Sequence, residues 1–239
     1  MTFKKHIPNT ITCCNLISGC IATVFAVVGN PQTALCWIII GAVFDFFDGM
    51  SARLLRVSSS IGKELDSLAD DITFGVAPAT IVFSELYVMD YPPLIENLRF
   101  YFPFFAFVMA AFSALRLAKF NLDERQTTSF IGLPTPANAL FWGALIVGGN
   151  NWIESSPWMV LVIIIGICIS SWLLISEIPM FALKFKHWGW KGNEVKYIFI
   201  LSCIPILILF RISGIAIIIL WYVFLSVLTN KKEKKDVPT

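Results

Sequence analysis

The chain has 239 residues, 57% of them hydrophobic and only 14% charged, with a mean hydropathy of +0.76 and a formal net charge of +2. A soluble domain carries about a quarter charged residues, so this composition excludes a soluble globular protein. It predicts an all-α polytopic membrane protein, for which no nucleic-acid partner is expected.

Windows of about 20 apolar residues can cross a bilayer. Eight are read, at 10–29, 33–56, 62–86, 98–120, 135–150, 157–176, 194–210 and 212–229. Chain breakers fall between them: Gly29-Asn30-Pro31, Pro92-Pro93, Pro134 with Pro136, and Pro157. Residues 1–9 read as a short basic, interfacial segment preceding the first span. Asn9, Thr12 and Asn15 lie near the start of that span, where Asn9 or Thr12 would cap a helix. The cysteines (Cys13, Cys14, Cys20, Cys36, Cys168 and Cys203) all fall within predicted helices without metal-type pairing, and read as small buried hydrophobes.

The second and third spans carry the unexpected charges. Asp45 and Asp48 share a helix face at i, i+3, and Asp66 and Asp70 share one at i, i+4. VSSSIG turns the chain between them, so two antiparallel neighbours bring both acidic pairs to one depth. A carboxylate at bilayer depth costs about 2.5–3.5 kcal/mol on the lenient insertion scale. Converging carboxylates also repel. Divalent cations relieve both costs, and oxygen ligands suit Mg²⁺, Mn²⁺ or Ca²⁺ rather than zinc. The structural alternative pairs these acids with Arg53, Arg56 and Lys63. Gly49, lacking a side chain, leaves room for a bulky group beside the helix. Asp71 points a quarter turn or more away from Asp70 and is left outside the cluster.

The fourth span ends with Arg116, Lys119 and Asn121 on the side of the acids, and Thr135-Pro136 opens the fifth. The positive-inside rule places both termini and the acids in the cytoplasm. Lys4, Lys5, Arg53, Arg56, Lys63, Arg116, Lys119, Arg125, Lys184, Lys186, Lys191, Lys196 and the Lys-rich tail then lie inside, with Arg99 and Arg211 on the far side.

The pattern Asp45-x-x-Asp48-Gly49-x-x-Ala52-Arg53, eight residues, then Gly62-x-x-x-Asp66-x-x-x-Asp70 resembles the signature of the CDP-alcohol phosphatidyltransferases. Eight fixed positions match across 26 residues. PNTITCCN at 8–15, SLADDITFGVAPA at 67–79, LRLAKFN at 115–121, GLPTPANA at 132–139 and SEIPMFALKFK at 176–186 resemble the integral-membrane phosphatidylserine synthase branch of that family. The resemblance implies a six-helix transferase core over 10–186, followed by a loop and two further C-terminal transmembrane helices at 187–230 and a basic cytoplasmic tail at 231–239.

It implies that Asp45, Asp48, Asp66 and Asp70 hold two divalent cations, Mg²⁺ or Mn²⁺. Asn9, Thr12, Gly49, Arg53 and Ser59 would meet the CDP-lipid, and Asp70 would double as the base. The implied substrates are CDP-diacylglycerol and L-serine, and the implied assembly is a homodimer. With no organelle signal read in the sequence, the cytoplasmic (inner) membrane is the expected location. Serine carries a carboxylate, an ammonium and a hydroxyl, and Arg116, Asn121 and Asp70 supply groups of matching type; Lys119 is a second cation at that level. Two alternatives stay open at this point. The acceptor is glycerol 3-phosphate or an inositol phosphate, or the acids mark a cation transporter.

Overall fold

The structure, a computed structural model, describes residues 2–57, 59–122, 130–181, 189–190 and 193–233. Arg125, Lys184, Lys186, Lys191 and the end of the Lys-rich tail lie outside the described residues.

Helix α1 (Thr2–Val27) begins well before the predicted start and runs straight through Pro8. A proline there removes one hydrogen bond, to the carbonyl four residues back, and the helix continues past it. Asn9 and Thr12 are therefore interior residues of α1, not caps, which corrects the capping expectation. Helix α2 (Pro31–Leu55) starts at Asn30, whose side chain accepts the Thr33 N–H at 3.0 Å. It stops at Arg56, which adopts the left-handed conformation (φ 51°). Ser59 then caps α3 (Ser60–Asp70), accepting the Gly62 N–H at 2.9 Å. Two residues set for these roles close the turn between the acidic pairs.

The third span is one rod in sequence but three segments in structure: α3, a six-residue π-helical turn (Asp71–Val76), and α4 (Ala77–Val88). Pro78 has no N–H to offer Phe74, so the α-helical ladder cannot be continuous there. The Ala77 N–H instead reaches back to Ile72 O, the wider π spacing. This turn is the hub of the bundle and touches α1, α2 and the later helices α5 (Val108–Leu122) and α6 (Thr135–Gly148).

A short 3₁₀ segment, Phe102–Phe107, leads into α5. After α6 come α7 (Asn150–Ile153), α8 (Met159–Ile175), α9 (Glu194–Phe210) and α10 (Ser213–Glu233). The only strands among the described residues are β1 (Phe130–Ile131) and β2 (Pro179–Met180), a two-residue antiparallel pair in which Phe130 faces Met180.

Among the described residues, four rods are long and apolar enough to span a bilayer: His6–Val27, Pro31–Leu55, Ser60–Val88 and Phe102–Leu122. Thr135–Gly148, Met159–Ile175 and Ser213–Thr229 are shorter apolar helices. The molecule is an all-α polytopic membrane protein.

Lipid tails are as apolar as leucine, so packing and polar ties hold such helices together. Phe74, Ile38, Ile81, Leu86 and Trp142 are completely or almost completely enclosed. Trp142 Nε1 donates to Ser170 Oγ at 3.0 Å, Ser84 Oγ to Ala26 O at 2.7 Å, and Ser213 Oγ to Gly148 O at 2.7 Å. Tyr222 on α10 donates to Phe181 O at 3.0 Å.

The exterior is apolar too, with Leu54, Ile61, Ile165, Ile208 and Leu209 more than half exposed. Cys13, Cys20, Cys36 and Cys168 are exposed on this surface, and Cys14 and Cys203 are half-buried. The expectation of buried cysteines is thus corrected: in a membrane bundle small apolar side chains suit the outer surface as well as the core. Outside the spans, Tyr91 is buried with its hydroxyl donating to Leu86 O at 3.0 Å, and burial pushes that hydroxyl up to about 12.

Candidate functional site

The sharp turn after α2 folds α3 back so that the acidic pairs meet. Carboxylate oxygens of Asp45, Asp48 and Asp66 lie within 4.8 Å of one another. Asp48 is buried at 6% exposure, and Thr12 Oγ1 donates to its Oδ2 at 2.7 Å. Asp66 Oδ1 is buried and has no hydrogen-bond partner among the described residues.

The basic residues nearby are occupied elsewhere. Arg53 Nε donates to Gly49 O at 3.0 Å, Lys63 Nζ donates to Asn121 O at 2.7 Å, and neither they nor Arg56 form an ion pair with these acids among the described residues. The structural alternative of an Asp–Arg/Lys cluster is therefore not what the chain builds. Three hard oxygen donors without an internal cation, one of them orphaned, are a donor set suited to divalent ions.

Asp70 stands one turn deeper and outside this trio. Its Oδ1 accepts from Asn15 Nδ2 at 3.0 Å, and it lies within electrostatic reach of Asp45, Asp66 and Asp48. Asp71 begins the π turn and is not in the cluster, as the helical angle predicts.

A cleft of about 270 Å³ opens beside two of these acids. Asp48 and Asp66 form part of its wall, together with Asn9, Thr12, Gly49 and Ser59. Four of the five residues expected to meet a CDP-lipid thus share one cavity. The fifth, Arg53, is exposed beside Gly49 and is not part of that wall. A Cβ built at Gly49 would find only Arg53 Nη2, at 4.0 Å, so packing does not demand this glycine; it fronts open space. Gly62 differs, because a Cβ there would come within 2.9 Å of both Asn9 Oδ1 and Ser59 Oγ. Its absence lets α1 approach the first turn of α3.

The three residues expected at an acceptor fare differently. Arg116 is 7% exposed, its Nε has no hydrogen-bond partner among the described residues, and Asp70 and Tyr222 act on it electrostatically. A buried, underused guanidinium beside the acids is a ready anion contact. Lys119 is exposed. Asn121 is engaged with α3, its Nδ2 donating to Ser67 Oγ at 2.8 Å while its carbonyl accepts from Lys63. In this arrangement Asn121 fastens the end of α5 to α3.

Asn15 is the residue that sequence reasoning passed over. The sequence puts it near the start of the first span with no contact of its own. The available signal was its spacing, since Asn9, Thr12 and Asn15 recur every three residues on one face of α1.

The CDP-alcohol phosphatidyltransferase profile matches residues 5–169. The chain belongs to this family. It is 35% identical over 184 residues to the CDP-diacylglycerol–serine O-phosphatidyltransferase of Bacillus subtilis (strain 168), covering 77% of this chain and 91% of that one. A similarly named protein of Mycobacterium leprae (strain TN) is 32% identical over 186 residues, 73% of this chain and 57% of the relative. That of Saccharomyces cerevisiae is 35% identical over 164 residues, 62% of this chain and 54% of the relative. The chain thus matches most of the length of the Bacillus relative and little more than half of the other two. Membership of a transferase family sets aside the cation transporter.

Proposed function

We propose that the protein is a CDP-diacylglycerol–serine O-phosphatidyltransferase, moving the phosphatidyl group of CDP-diacylglycerol to the hydroxyl of L-serine and releasing CMP. The observation that carries the reading is the acid-floored cleft, whose wall holds Asn9, Thr12, Gly49 and Ser59 of the nucleotide-binding set. The names of the bacterial and yeast relatives support serine as acceptor over glycerol 3-phosphate or an inositol phosphate.

In this reading the CDP head group lies in the cleft and the acyl chains stay in the bilayer. Gly49 leaves room for the head group against α2, and Arg53, exposed beside it, reaches toward the phosphates. Asp45, Asp48 and Asp66, with Asp70 at their edge, hold two divalent cations, Mg²⁺ or Mn²⁺. Such ions offset charge on the pyrophosphate and on the departing CMP. Arg116 receives the carboxylate of serine, with Lys119, exposed in the last turn of α5, adding positive charge. Asp70 takes the proton of the serine hydroxyl. The oxygen so freed bonds to the lipid-side phosphorus as the bond from that phosphorus to the CMP oxygen breaks. No side chain becomes phosphatidylated.

The transferase core comprises residues 10–186, with 1–9 interfacial, 187–230 contributing the last loop and two helices, and 231–239 a basic tail. Both termini and the cleft face the cytoplasm, and the protein works as a homodimer in the inner membrane. The basic residues gathered at one set of helix ends support the orientation.

The test uses purified full-length chain in detergent with CDP-diacylglycerol and Mn²⁺ or Mg²⁺. CMP release is followed with serine, glycerol 3-phosphate or inositol 1-phosphate added singly, with and without chelator. Chelator-sensitive release with serine alone is the expected result. Release with another acceptor overturns the serine assignment and keeps the transferase.

A further inference from the structure

Asn15 is fully enclosed, at 0% exposure, in the first third of α1. A buried carboxamide must account for two N–H donors and an oxygen. One donor goes to Asp70 Oδ1 at 3.0 Å. The Asn15 Oδ1 has no hydrogen-bond partner among the described residues. It lies over Gly41 of α2, where an added Cβ would come within 2.9 Å of it. Only a residue without a side chain leaves room for the amide in this position.

The backbone of Asn15 is held as well. Thr73 Oγ1, from the π turn, donates to the Asn15 carbonyl at 3.1 Å. Thr73 itself is completely buried, and Gly19 of α1 and Gly41 of α2 both lack the Cβ that would strike it. Three elements therefore converge to seat a single amide whose one polar contact is a carboxylate of the cluster. A residue kept only for packing would carry no amide here, because a buried polar group left half-satisfied is destabilising.

We propose that Asn15 is a positioning residue of the transfer reaction, pinning Asp70 Oδ1 so that this carboxylate stands apart from the Asp45–Asp48–Asp66 trio and presents its other oxygen to the incoming hydroxyl. The inference rests on the reading of Asp70 as the base. It explains why four aspartates in one signature divide into a close trio and one outlier. Without the amide, Asp70 is free to turn both of its oxygens toward the cations at whose edge it stands, and the acceptor hydroxyl meets no fixed base. Asn15 touches neither substrate, so its loss acts on the chemical step.

The experiment compares full-length wild type with Asn15→Leu, which keeps the volume and removes the donor, and with Asn15→Ala, which tests the same point if leucine does not fit. Turnover is normalised to the number of sites that bind CDP-diacylglycerol, and Mn²⁺ affinity is measured by electron paramagnetic resonance. The expected result is a fall in kcat on the order of 10²-fold, the scale of an ångström-sized misplacement. KM for serine, KM for CDP-diacylglycerol and Mn²⁺ affinity should stay unchanged. Full kcat per site, a loss confined to the KM for serine, or lost Mn²⁺ binding would each overturn the proposal. Asp70→Asn is run alongside. A wild type without serine-dependent CMP release, or an active Asp70→Asn, fails the underlying reading, whereas a normal Asn15 variant beside an inactive Asp70→Asn fails this inference alone.

Discussion

Residues at the cleft separate those that the fold needs from those that the chemistry needs. Gly49 faces open space, so Gly49→Ala should not lower the thermal unfolding temperature in detergent, and as a mid-helix glycine replacement should if anything raise it, while raising the KM for CDP-diacylglycerol, because the new methyl stands where the head group must pass. Asp70→Asn keeps shape and removes the proton acceptor. It should lower turnover by about 10²–10⁴-fold, the usual worth of a positioned base, with the protein still folded. Arg116 and Lys119 make a paired comparison. Arg116 is buried with an unused Nε, whereas Lys119 is exposed. A charge-assisted hydrogen bond is worth about 1.5–3 kcal/mol, so Arg116→Gln should raise the KM for serine roughly 10- to 100-fold, and Lys119→Ala should leave it nearly unchanged. Equal effects from the two substitutions would remove Arg116 from the acceptor contact.

At the scale of the element, the rods and their order are legible in the sequence because hydropathy and helix breakers are local properties. The turn between α2 and α3 is legible for the same reason, with acids at i, i+3 and i, i+4 on either side of it. What stayed hidden is non-local. Pro8 looks like a boundary until one knows that α1 continues through it. Pro78 marks a place where the ladder must adjust, but that the adjustment is a π turn seating Thr73 between α1 and α2 depends on Gly19 and Gly41, more than 30 residues away in sequence. The Asn15–Asp70 contact depends on that seating. Asn121 carries the same lesson, since its side chain suits an acceptor in composition yet is spent on Ser67. The seating itself can be tested. A Cβ at Gly19 would lie within 2.8 Å of Thr73 Cα, a backbone atom that cannot rotate away. Gly19→Ala should therefore cost about 1–3 kcal/mol, as overpacking generally does. It should show as a lowered unfolding temperature, together with lost turnover as Asn15 shifts, in contrast to Gly49→Ala, which costs no stability.

At the scale of the whole molecule, one end of the bundle collects everything the reaction would use. The start of α1, the α2–α3 turn, the end of α5 and the start of α6 are consecutive returns of the chain to the same side, because each pair of crossings brings it back. The cleft wall includes Pro8 and Asn9 from α1 and Ser59 and Gly62 from the α2–α3 turn, so its mouth opens at that end. Serine and CMP are too polar to cross the hydrocarbon and must enter and leave there. CDP-diacylglycerol is already in the membrane and need only present its head group from the same leaflet. Sidedness of the activity therefore reports the orientation of the entire bundle. In sealed inside-out vesicles, whose outer face is the cytoplasmic one, serine and Mn²⁺ supplied outside should give CMP release without detergent, and a membrane-impermeant chelator outside should stop it. Right-side-out vesicles should show release only after permeabilisation. The opposite pattern would invert the molecule, placing Lys4, Lys5, Arg53, Arg56 and Lys63 outside against the positive-inside bias, and would reassign the reaction to the other leaflet while leaving its chemistry intact.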